Sequence, residues 1–229
     1  MKTAILIPAR LASTRLPKKP LVRLNGTTLV RRVYEASCMK MDYDVFVLSD
    51  SRKVTDLFHH EGVYLDDTEY ANGTERCAGA IKDPMFDKYD QFINVQGDMP
   101  DVTKQMIERC IKWLQYYPVS TVFTTMPEEE QNNPNSVKMI RAGDQALWFG
   151  RGITGYGEWH LGVYGYKRNA LEMYSTLEVT QEEQVENLEQ LRWLKNGWQI
   201  GCSSVYFKGV EINSPEDVNE WHEKREKVH

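Results

Sequence analysis

Residues 3–20, TAILIPARLASTRLPKKP, join a short apolar run to a basic loop and set the start of the fold. The run Thr3–Ile7 is continuous and aliphatic, which is typical of a strand buried on both faces of a parallel sheet. It stops at Pro8, and four cations follow before Pro20, namely Arg10, Arg15, Lys18 and Lys19. The stretch therefore predicts a buried strand with a basic loop at its carboxyl end.

The same order of apolar strand and polar end recurs along the chain. It is found in DVFVLSD (44–50), QFINVQGD (91–98) and VSTVFTTM (119–126), and LVRRVYEAS (29–37) has the spacing of an amphipathic helix. Strands that alternate with helices predict a doubly wound α/β sandwich with a mostly parallel central sheet, whose ligands bind outside the carboxyl ends of the strands. The pair Asn25-Gly26 ahead of the helix is also compatible with a hairpin turn, and the sequence leaves this open.

The second half of the chain predicts further strands and two helices. Residues 136–152 and 158–168 are strand-like around a glycine-rich connection. EEQVENLEQLRWLKNG (182–197) has apolar residues at helical spacing and predicts one helix that stops at its closing glycine. Residues 214–217, SPED, predict the start of a last helix, with an N-cap, a proline and an acid at the third position. Since no linker or repeat intervenes, we expect a single domain over residues 1–229.

Composition and charge exclude several classes of protein. The 229 residues carry 28 Lys and Arg against 33 Asp and Glu, and the formal charge of -5 gives no field for holding a nucleic-acid backbone. No apolar run approaches the ~20 residues that span a bilayer, and the basic, proline-containing start is unlike a signal peptide. Four scattered cysteines without a CxxC pair predict free thiols in a reducing compartment. We expect a soluble, cytoplasmic protein without nucleic-acid or membrane partners.

The basic loop and one aspartate carry the first chemical signals. Arg15 can hold two phosphate oxygens and Lys19 is a point charge, so the loop suits a phosphate ligand, although a solvated basic loop gives the same pattern. Asp98 ends an apolar strand and suits a hard cation such as Mg²⁺, although by itself a turn aspartate is the commoner case. The two features support each other because a metal-bridged triphosphate needs both charges at one edge of the sheet.

Seven motifs, taken in order, carry a family resemblance. They are IPARLASTRLPKKPL (7–21), NGTER (72–76), NVQGD (94–98), NPNSVK (133–138), ALWFGR (146–151), HLGVYGY (160–166) and LEQLR (188–192). The chain resembles the 3-deoxy-manno-octulosonate cytidylyltransferase (CMP-Kdo synthetase) family from residue 2 to about residue 220. The resemblance implies a Rossmann-like nucleotidyltransferase three-layer sandwich, a homodimer, and Mg²⁺ as cofactor. It also implies transfer of CMP from CTP to the anomeric hydroxyl of a sugar acid, with release of pyrophosphate.

The resemblance further implies roles for individual residues. The CTP phosphates would contact Arg10, Ser13, Arg15 and Lys19, and the nucleoside would lie near Ala9, Asp50, Gly73, Thr74, Arg76 and Gln96. Asp98 would be the principal Mg²⁺ ligand, and the catalytic set would be Arg15, Lys19 and Asp98. The sugar acid would contact Arg151, His160, Tyr164, Glu189 and Gln190. The residue types fit these roles, since Arg and His suit a carboxylate while Glu and Gln suit hydroxyls.

Three departures from the family's pattern bear on the metal and on the substrate. Asn72 stands where the family usually has Ser. The family's late Val-Asp-Thr-Pro-Glu-Asp corresponds to residues 210–217, so its second metal ligand falls on Glu211 or on Asn213, according to the alignment. We expect Glu211 to be the ligand, with Asn213 adding at most a neutral oxygen. The connection over residues 151–160 is shorter than the family's, which predicts a more open sugar site with a broader preference among acids.

The sequence therefore predicts a cytidylyltransferase that uses CTP, Mg²⁺ and Kdo or a close relative, by in-line attack of the sugar hydroxyl on the α-phosphorus. One alternative is the same chemistry on a different sugar acid, sialic-like or a smaller ulosonate. Another alternative is a catalytically idle nucleotide-binding protein of the same fold. The joint presence of Arg15, Lys19 and Asp98 argues against the idle protein.

Overall fold

The computed structural model describes residues 1–13, 15–39, 43–59 and 62–226. Their strands are β1 Thr3–Pro8, β2 Arg23–Leu24, β3 Thr27–Thr28, β4 Asp44–Ser49, β5 Val63–Leu65, β6 Gln91–Val95, β7 Val119–Thr124, β8 Lys138–Ala142, β9 Gln145–Gly150, β10 Glu158–Lys167 and β11 Ile200–Ser204. Their helices are α1 Leu29–Cys38, α2 Arg52–Thr55, α3 Gly73–Ala80, α4 Lys104–Trp113, α5 Arg168–Tyr174, α6 Gln181–Glu186, α7 Leu191–Lys195 and α8 Pro215–Glu226. Single 3₁₀ turns are found at Lys19–Leu21, Pro84–Phe86 and Glu128–Glu130.

One large mixed sheet organises these elements. In the described chain its strands follow the order β5-β4-β1-β6-β10-β7-β11-β9-β8. Strands β5, β4, β1 and β6 pair in parallel, as do β7 and β11, whereas β10 is antiparallel to both β6 and β7. The predicted α/β class with a mostly parallel sheet is confirmed, with β10 and β9 running against the other strands.

Two apolar cores lie on opposite faces of this sheet, because successive side chains of a strand point to opposite sides. On β1, Ile5 and Ile7 join the core beneath α1 and α4, whereas Ala4 and Leu6 join the core beneath α3, α5 and α7. All four side chains are fully buried. The helix, sheet and helix layers make the predicted three-layer sandwich, and they explain why the first strand is aliphatic on both faces.

The Asn25-Gly26 pair turns a hairpin between β2 and β3. Both residues have positive φ angles, 47° and 81°, which is the combination that a type I′ turn requires. Helix α1 then begins at Leu29, directly after β3. The hairpin that the sequence left open at this pair is therefore present, and the predicted amphipathic helix follows it.

The helix predicted over residues 182–197 is wrong as a single element. Helix α6 ends before Asn187, which adopts the left-handed conformation (φ 53°, ψ 49°), and α7 begins only at Leu191. Val185, one of the apolar residues at helical spacing, is 75% exposed, since the apolar stripe does not run through the break. The break places Glu189 and Gln190 in the connection between two helices instead of on a helix.

Helix α8 begins as predicted and holds the segment before it. Asp217 Oδ2 accepts hydrogen bonds from the backbone N–H groups of Asn213 (2.7 Å) and Ser214 (2.8 Å), a reciprocal N-terminal cap. The buried Trp221 donates from Nε1 to Asp101 Oδ1 at 3.2 Å, and Asp101 Oδ2 accepts from Val210 N at 3.1 Å. The helix therefore fixes the chain that leads to Asn213 against the loop after β6.

Two further features of the described residues are the length of the helices and the burial of the cysteines. None of the described helices is long and apolar enough to cross a lipid bilayer. Cys77, Cys110 and Cys202 are free thiols, and all three are buried. Burial raises the pKa of the Cys77 and Cys110 thiols, so both stay protonated at neutral pH.

Gly97, directly after β6, lies against the end of β1. A Cβ atom added at Gly97 would be 2.8 Å from the carbonyl oxygen of Pro8, and this backbone atom cannot move aside as a side chain can. We expect Gly97→Ala to lower the free energy of unfolding by about 1–3 kcal/mol, the usual cost of overpacking. Gly152→Ala, where nothing lies within 4 Å, should change it by no more than about 0.5 kcal/mol. Urea unfolding of the two variants tests this, and equal losses would contradict the close approach.

Candidate active site

A cleft of about 570 Å³ opens at the carboxyl ends of β1 and β6. Strand β10 borders it with its amino-terminal half, because β10 runs antiparallel to β6. The predicted site residues that line the cleft are Ala9, Arg10, Ser13, Arg15, Lys19, Gly73, Arg76, Gln96, Asp98, Arg151, His160, Tyr164, Glu189, Gln190, Glu211 and Asn213. Asp50 and Thr74 lie behind the wall and bond to residues that line it.

A larger cavity, of about 760 Å³, lies between the end of α8 and the start of β10. Its walls include Trp159 and Phe207, with Lys208 and Lys224 also lining it. It contains none of the predicted site residues, whereas the smaller cleft brings cations, carboxylates and amides together. We therefore take the smaller cleft as the candidate active site, since convergent polar groups and not volume mark a reactive site.

The basic loop and Asp98 meet beside the end of β6. Lys19 Nζ donates to Asp98 Oδ2 at 2.7 Å and to Asn213 Oδ1 at 3.1 Å. Arg15 Nη2 donates to the same Asn213 oxygen at 3.3 Å. Residues from three distant motifs thus form one charged cluster with Lys19 at its centre.

Glu211 adds a second carboxylate to this cluster. Burial and the nearby negative charge of Asp98 raise the pKa of Glu211 to about 8, and Gly162 N donates to its Oε1 at 3.4 Å. The segment around Glu211 is not a strand, but Ile212 N donates to the Asp98 carbonyl oxygen at 2.9 Å and holds the segment beside the loop after β6. Glu211 and Asn213 consequently line the same cleft.

The oxygen atoms of Asp98, Glu211 and Asn213 fit a magnesium ion. Mg²⁺ prefers hard oxygen ligands and usually takes one or two carboxylates, with phosphate oxygens and water completing its shell. Burial and the negative charge of Asp98 both raise the pKa of Glu211, and a dication between the two side chains would oppose both effects. Among the described residues, no group of three or more His, Cys, Asp or Glu side chains could hold a metal ion. A cation held by the carboxylates of Asp98 and Glu211 would therefore also need oxygens from the substrate or from water.

Asp50, on the other side of β1, ties the basic loop to Arg76. Its Oδ1 accepts from Leu11 N at 3.0 Å, and its Oδ2 accepts from Arg76 Nη2 at 3.4 Å. Arg76 Nη1 donates to the Asp66 carbonyl oxygen at 3.2 Å, and the Tyr70 ring packs over the guanidinium at 5.1 Å. The Arg76 side chain is thus held within the protein and organises the wall on which the nucleoside was predicted to lie.

Asn72, the departure before Gly-Thr-Glu-Arg, caps helix α3. Its Oδ1 accepts from Glu75 N at 2.8 Å, and its Nδ2 donates to the Tyr174 hydroxyl at 3.2 Å. Asn and Ser are both good N-cap residues, so the replacement keeps the start of α3 in place. The amide also reaches Tyr174, whose hydroxyl donates to the Glu189 carbonyl oxygen at 3.0 Å.

Glu189 bridges α3 and β6 inside the cleft. Its Oε2 accepts from Thr74 N at 3.1 Å, and its Oε1 accepts from Gln96 Nε2 at 3.0 Å. Burial raises the pKa of Glu189, because its donors are neutral and do not fully replace water. Gln190, next to it, is also buried, and its Nε2 has no hydrogen-bond partner within the described residues. Such an orphaned donor costs about 1–3 kcal/mol unless a ligand or water accepts from it.

His160 lines the cleft, and its imidazole is packed among other side chains. The side chain is 4% exposed, its Nε2 lies 3.0 Å from Thr121 Oγ1, and its ring packs on Phe149 and Tyr164. Burial, together with the positive charge of Arg151, lowers the pKa of His160 to about 3. The imidazole is therefore neutral at physiological pH. A charge-assisted contact with a carboxylate can come from Arg151 but not from His160.

Sequence reasoning missed the groups that stiffen the cleft. Arg192 is buried, and its guanidinium donates to both carboxylate oxygens of Glu183 (2.8 and 2.6 Å) and to Glu75 at 2.9 Å. A charged residue between the apolar Leu191 and Trp193 was the available signal for this network. Tyr70 belongs to none of the seven motifs, and nothing in the sequence indicated its contact with the cleft.

Four similarities to known proteins bear on this cleft. The profile of a family described as Cytidylyltransferase matches residues 4–200. The chain is 34% identical to the 8-amino-3,8-dideoxy-manno-octulosonate cytidylyltransferase of Shewanella piezotolerans, over 95% of this chain and 96% of that protein. It is 33% identical to the 3-deoxy-manno-octulosonate cytidylyltransferase of Rickettsia felis, over 94% of this chain and 92% of that protein. A solved structure of CMP:2-keto-3-deoxy-manno-octonic acid synthetase complexed with CTP superposes with a TM-score of 0.90 at 27% identity, covering 100% of both chains.

The neutral state of His160 predicts a pH dependence of stability. The pKa of His160 falls from its ordinary value of 6.5 to about 3 on folding, so the unfolded chain binds the proton first as pH falls. Stability from this residue should be complete above about pH 6.5 and decline below it, by about 2 kcal/mol at pH 5. His160→Gln should therefore lose less stability than the parent protein between pH 7 and pH 5 in urea unfolding.

His59→Gln, at an exposed histidine, is the matched control and should keep the parent pH dependence. A His160→Gln variant with an unchanged pH dependence would rule out a buried neutral imidazole.

Proposed function

The chain belongs to the cytidylyltransferase family, and from that premise we propose that it transfers CMP from CTP to the anomeric hydroxyl of a 2-keto-3-deoxy sugar acid, with release of pyrophosphate. The resemblance drawn from seven sequence motifs is confirmed by relatives that match almost end to end. The observation that carries the proposal is the cluster in which Arg15 and Lys19 face the oxygens of Asp98 and Asn213. An idle nucleotide-binding protein would not need this combination.

The chemistry asked of the protein is positioning and charge stabilisation. Arg15 and Lys19 hold the triphosphate, with Arg10 and Ser13 on the same loop, while the sugar hydroxyl attacks the α-phosphorus from the side opposite the leaving pyrophosphate. Negative charge grows on the leaving pyrophosphate, and Lys19 is the point charge best suited to follow it. No covalent intermediate with the protein is required.

We include Mg²⁺ in the proposal because the donor set of Asp98, Glu211 and Asn213 fits it. When bound, the ion would neutralise phosphate charge and polarise the phosphorus toward attack. Lys19 lies between Asp98 and Asn213 and keeps these oxygens together. Glu211 is the second carboxylate expected from sequence, and its position beside Asp98 supports that choice.

Arg151, Tyr164, Glu189 and Gln190 form the proposed sugar-acid side of the cleft. Burial and the positive charge of Arg15 lower the pKa of Arg151, which indicates that the basic loop and Arg151 face a common space where an anion would be stabilised. Burial holds Tyr164 as a neutral phenol, and the unpartnered Gln190 Nε2 is a donor for a sugar oxygen. Relatives named for Kdo and for its 8-amino analogue are equally similar to this chain, so both sugars are candidates. A homodimer remains a proposal that rests on the family resemblance, and a cytoplasmic location remains one that rests on the composition of the chain.

The proposal predicts a direct product. Incubation with CTP, Mg²⁺ and Kdo or 8-amino-Kdo should give the CMP-sugar and pyrophosphate, identified by mass spectrometry and a coupled phosphate assay. Lys19→Ala should lower kcat by at least about 100-fold, the scale of losing one group that stabilises transition-state charge. Lys112→Ala, at an exposed lysine on α4, is the matched control and should leave kcat unchanged. No product with any ulosonic or sialic acid tested would refute the proposed activity.

The metal assignment makes a separate prediction. Asp98→Asn should abolish most turnover, and Glu211→Gln should raise the Mg²⁺ concentration for half-maximal rate by at least about tenfold, which even an indirect metal partner can contribute. Glu223→Gln, at an exposed glutamate on α8, should leave the Mg²⁺ dependence unchanged. If Glu211→Gln leaves it unchanged while Asn213→Asp strengthens it, the second ligand is at position 213 and not at 211.

A further inference from the structure

Arg151 is held on two sides by other residues of the chain. Its backbone N–H donates to Glu186 Oε2 at 2.7 Å, and its Nε donates to the Glu186 carbonyl oxygen at 3.2 Å. Its Nη1 donates to the Asn135 carbonyl oxygen at 2.8 Å. Nη2 has no hydrogen-bond partner within the described residues, although the side chain lines the cleft. The guanidinium is therefore fixed by two of its three nitrogens and keeps the third for a ligand.

The loop that carries Asn135 is fixed from beneath by Lys138. Lys138 is fully buried, and its Nζ donates to the Asn133 carbonyl oxygen. Asn133 Oδ1 in turn accepts from Asn135 N at 2.9 Å. The loop is further closed by Glu130, whose Oε2 accepts from Asn133 Nδ2 at 2.8 Å and from the Ser136 hydroxyl. A continuous set of contacts thus joins Lys138 to the carbonyl that holds Arg151.

Lys138 is fully buried and does not line the cleft, and this position is unusual for a lysine. Burial lowers the pKa of Lys138, and the positive charge of Arg151 lowers it further, against the opposing charge of Glu130. Arg151 and Lys138 are therefore close enough to repel each other, which is costly for two cations of which one is buried. The cost is understandable if the lysine orders a loop whose position matters for an anionic ligand.

We propose that Lys138 and Glu186 are positioning residues that hold Arg151 with Nη2 free to receive the carboxylate of the sugar acid. The inference rests on the proposed function, which supplies an anionic second substrate. A guanidinium already fixed in place loses less conformational freedom on binding, so its charge-assisted hydrogen bond contributes more to affinity. Neither positioning residue contacts the triphosphate cluster in the described structure, so their effect should be confined to the sugar acid.

Steady-state kinetics of Lys138→Met and Glu186→Ala test the proposal. Both should raise KM for the sugar acid by at least about tenfold, as loss of an orienting partner typically does, and should change KM for CTP less than about twofold. Glu186→Gln keeps an oxygen that can accept from Arg151 N and should restore a KM near that of the parent protein. Lys112→Met is the matched control for removal of a lysine and should change neither KM.

Combination with Arg151→Ala separates positioning from a general structural effect. Arg151→Ala alone should raise KM for the sugar acid, and adding Lys138→Met or Glu186→Ala should raise it little more, since both act through Arg151. Additive effects on KM for the sugar acid would overturn the inference. So would an unchanged KM in Lys138→Met and Glu186→Ala while Arg151→Ala is impaired. Either result would leave the proposed function standing. A normal KM for the sugar acid in Arg151→Ala would show that Arg151 does not bind the carboxylate. If Lys138→Met does not fold, the two Glu186 variants decide the outcome.

Discussion

Strand β10 enters the sheet between β6 and β7 in the direction opposite to both. The carboxyl ends of β1 and β6 carry the basic loop and Asp98, and only an antiparallel neighbour can bring the beginning of a strand to that same edge. His160, near the start of β10, consequently faces groups that come from the ends of β1 and β6. The candidate active site depends on this one reversal, because in an all-parallel sheet His160 would lie at the opposite edge.

Charge repulsion and charge pairing shape the cleft that results. The basic loop brings Arg15 and Lys19 together, and their charge is offset by Asp98 and by the oxygen of Asn213. Glu211 lies beside Asp98, and burial together with the negative charge of Asp98 raises the pKa of Glu211. The cluster thus presents both positive and negative charges. It suits a ligand that also carries both, as a metal-bound triphosphate does.

The opposite wall depends on buried polar groups that are satisfied by neighbours. The Arg192 guanidinium joins Glu183 and Glu75 and so connects α7 with α6 and α3, while Glu189 accepts from one residue of α3 and one that follows β6. Buried groups of this kind cost stability if a partner is lost, and they therefore fix the wall in one arrangement. A rigid wall suits a reaction in which positioning supplies much of the rate enhancement.

The sequence by itself determined the features that depend on neighbours in the chain. The aliphatic run Thr3–Ile7, the cap before α8 and the basic loop are local patterns, and the structure contains all of them. The family and its chemistry also followed from the sequence, since seven ordered motifs are read without knowledge of their contacts. Tertiary structure alone decided the break at Asn187, the neutral charge of His160 and the fixed position of Arg151. Each of these depends on burial or on a partner distant in the sequence, and helical spacing or residue type contains no information about either.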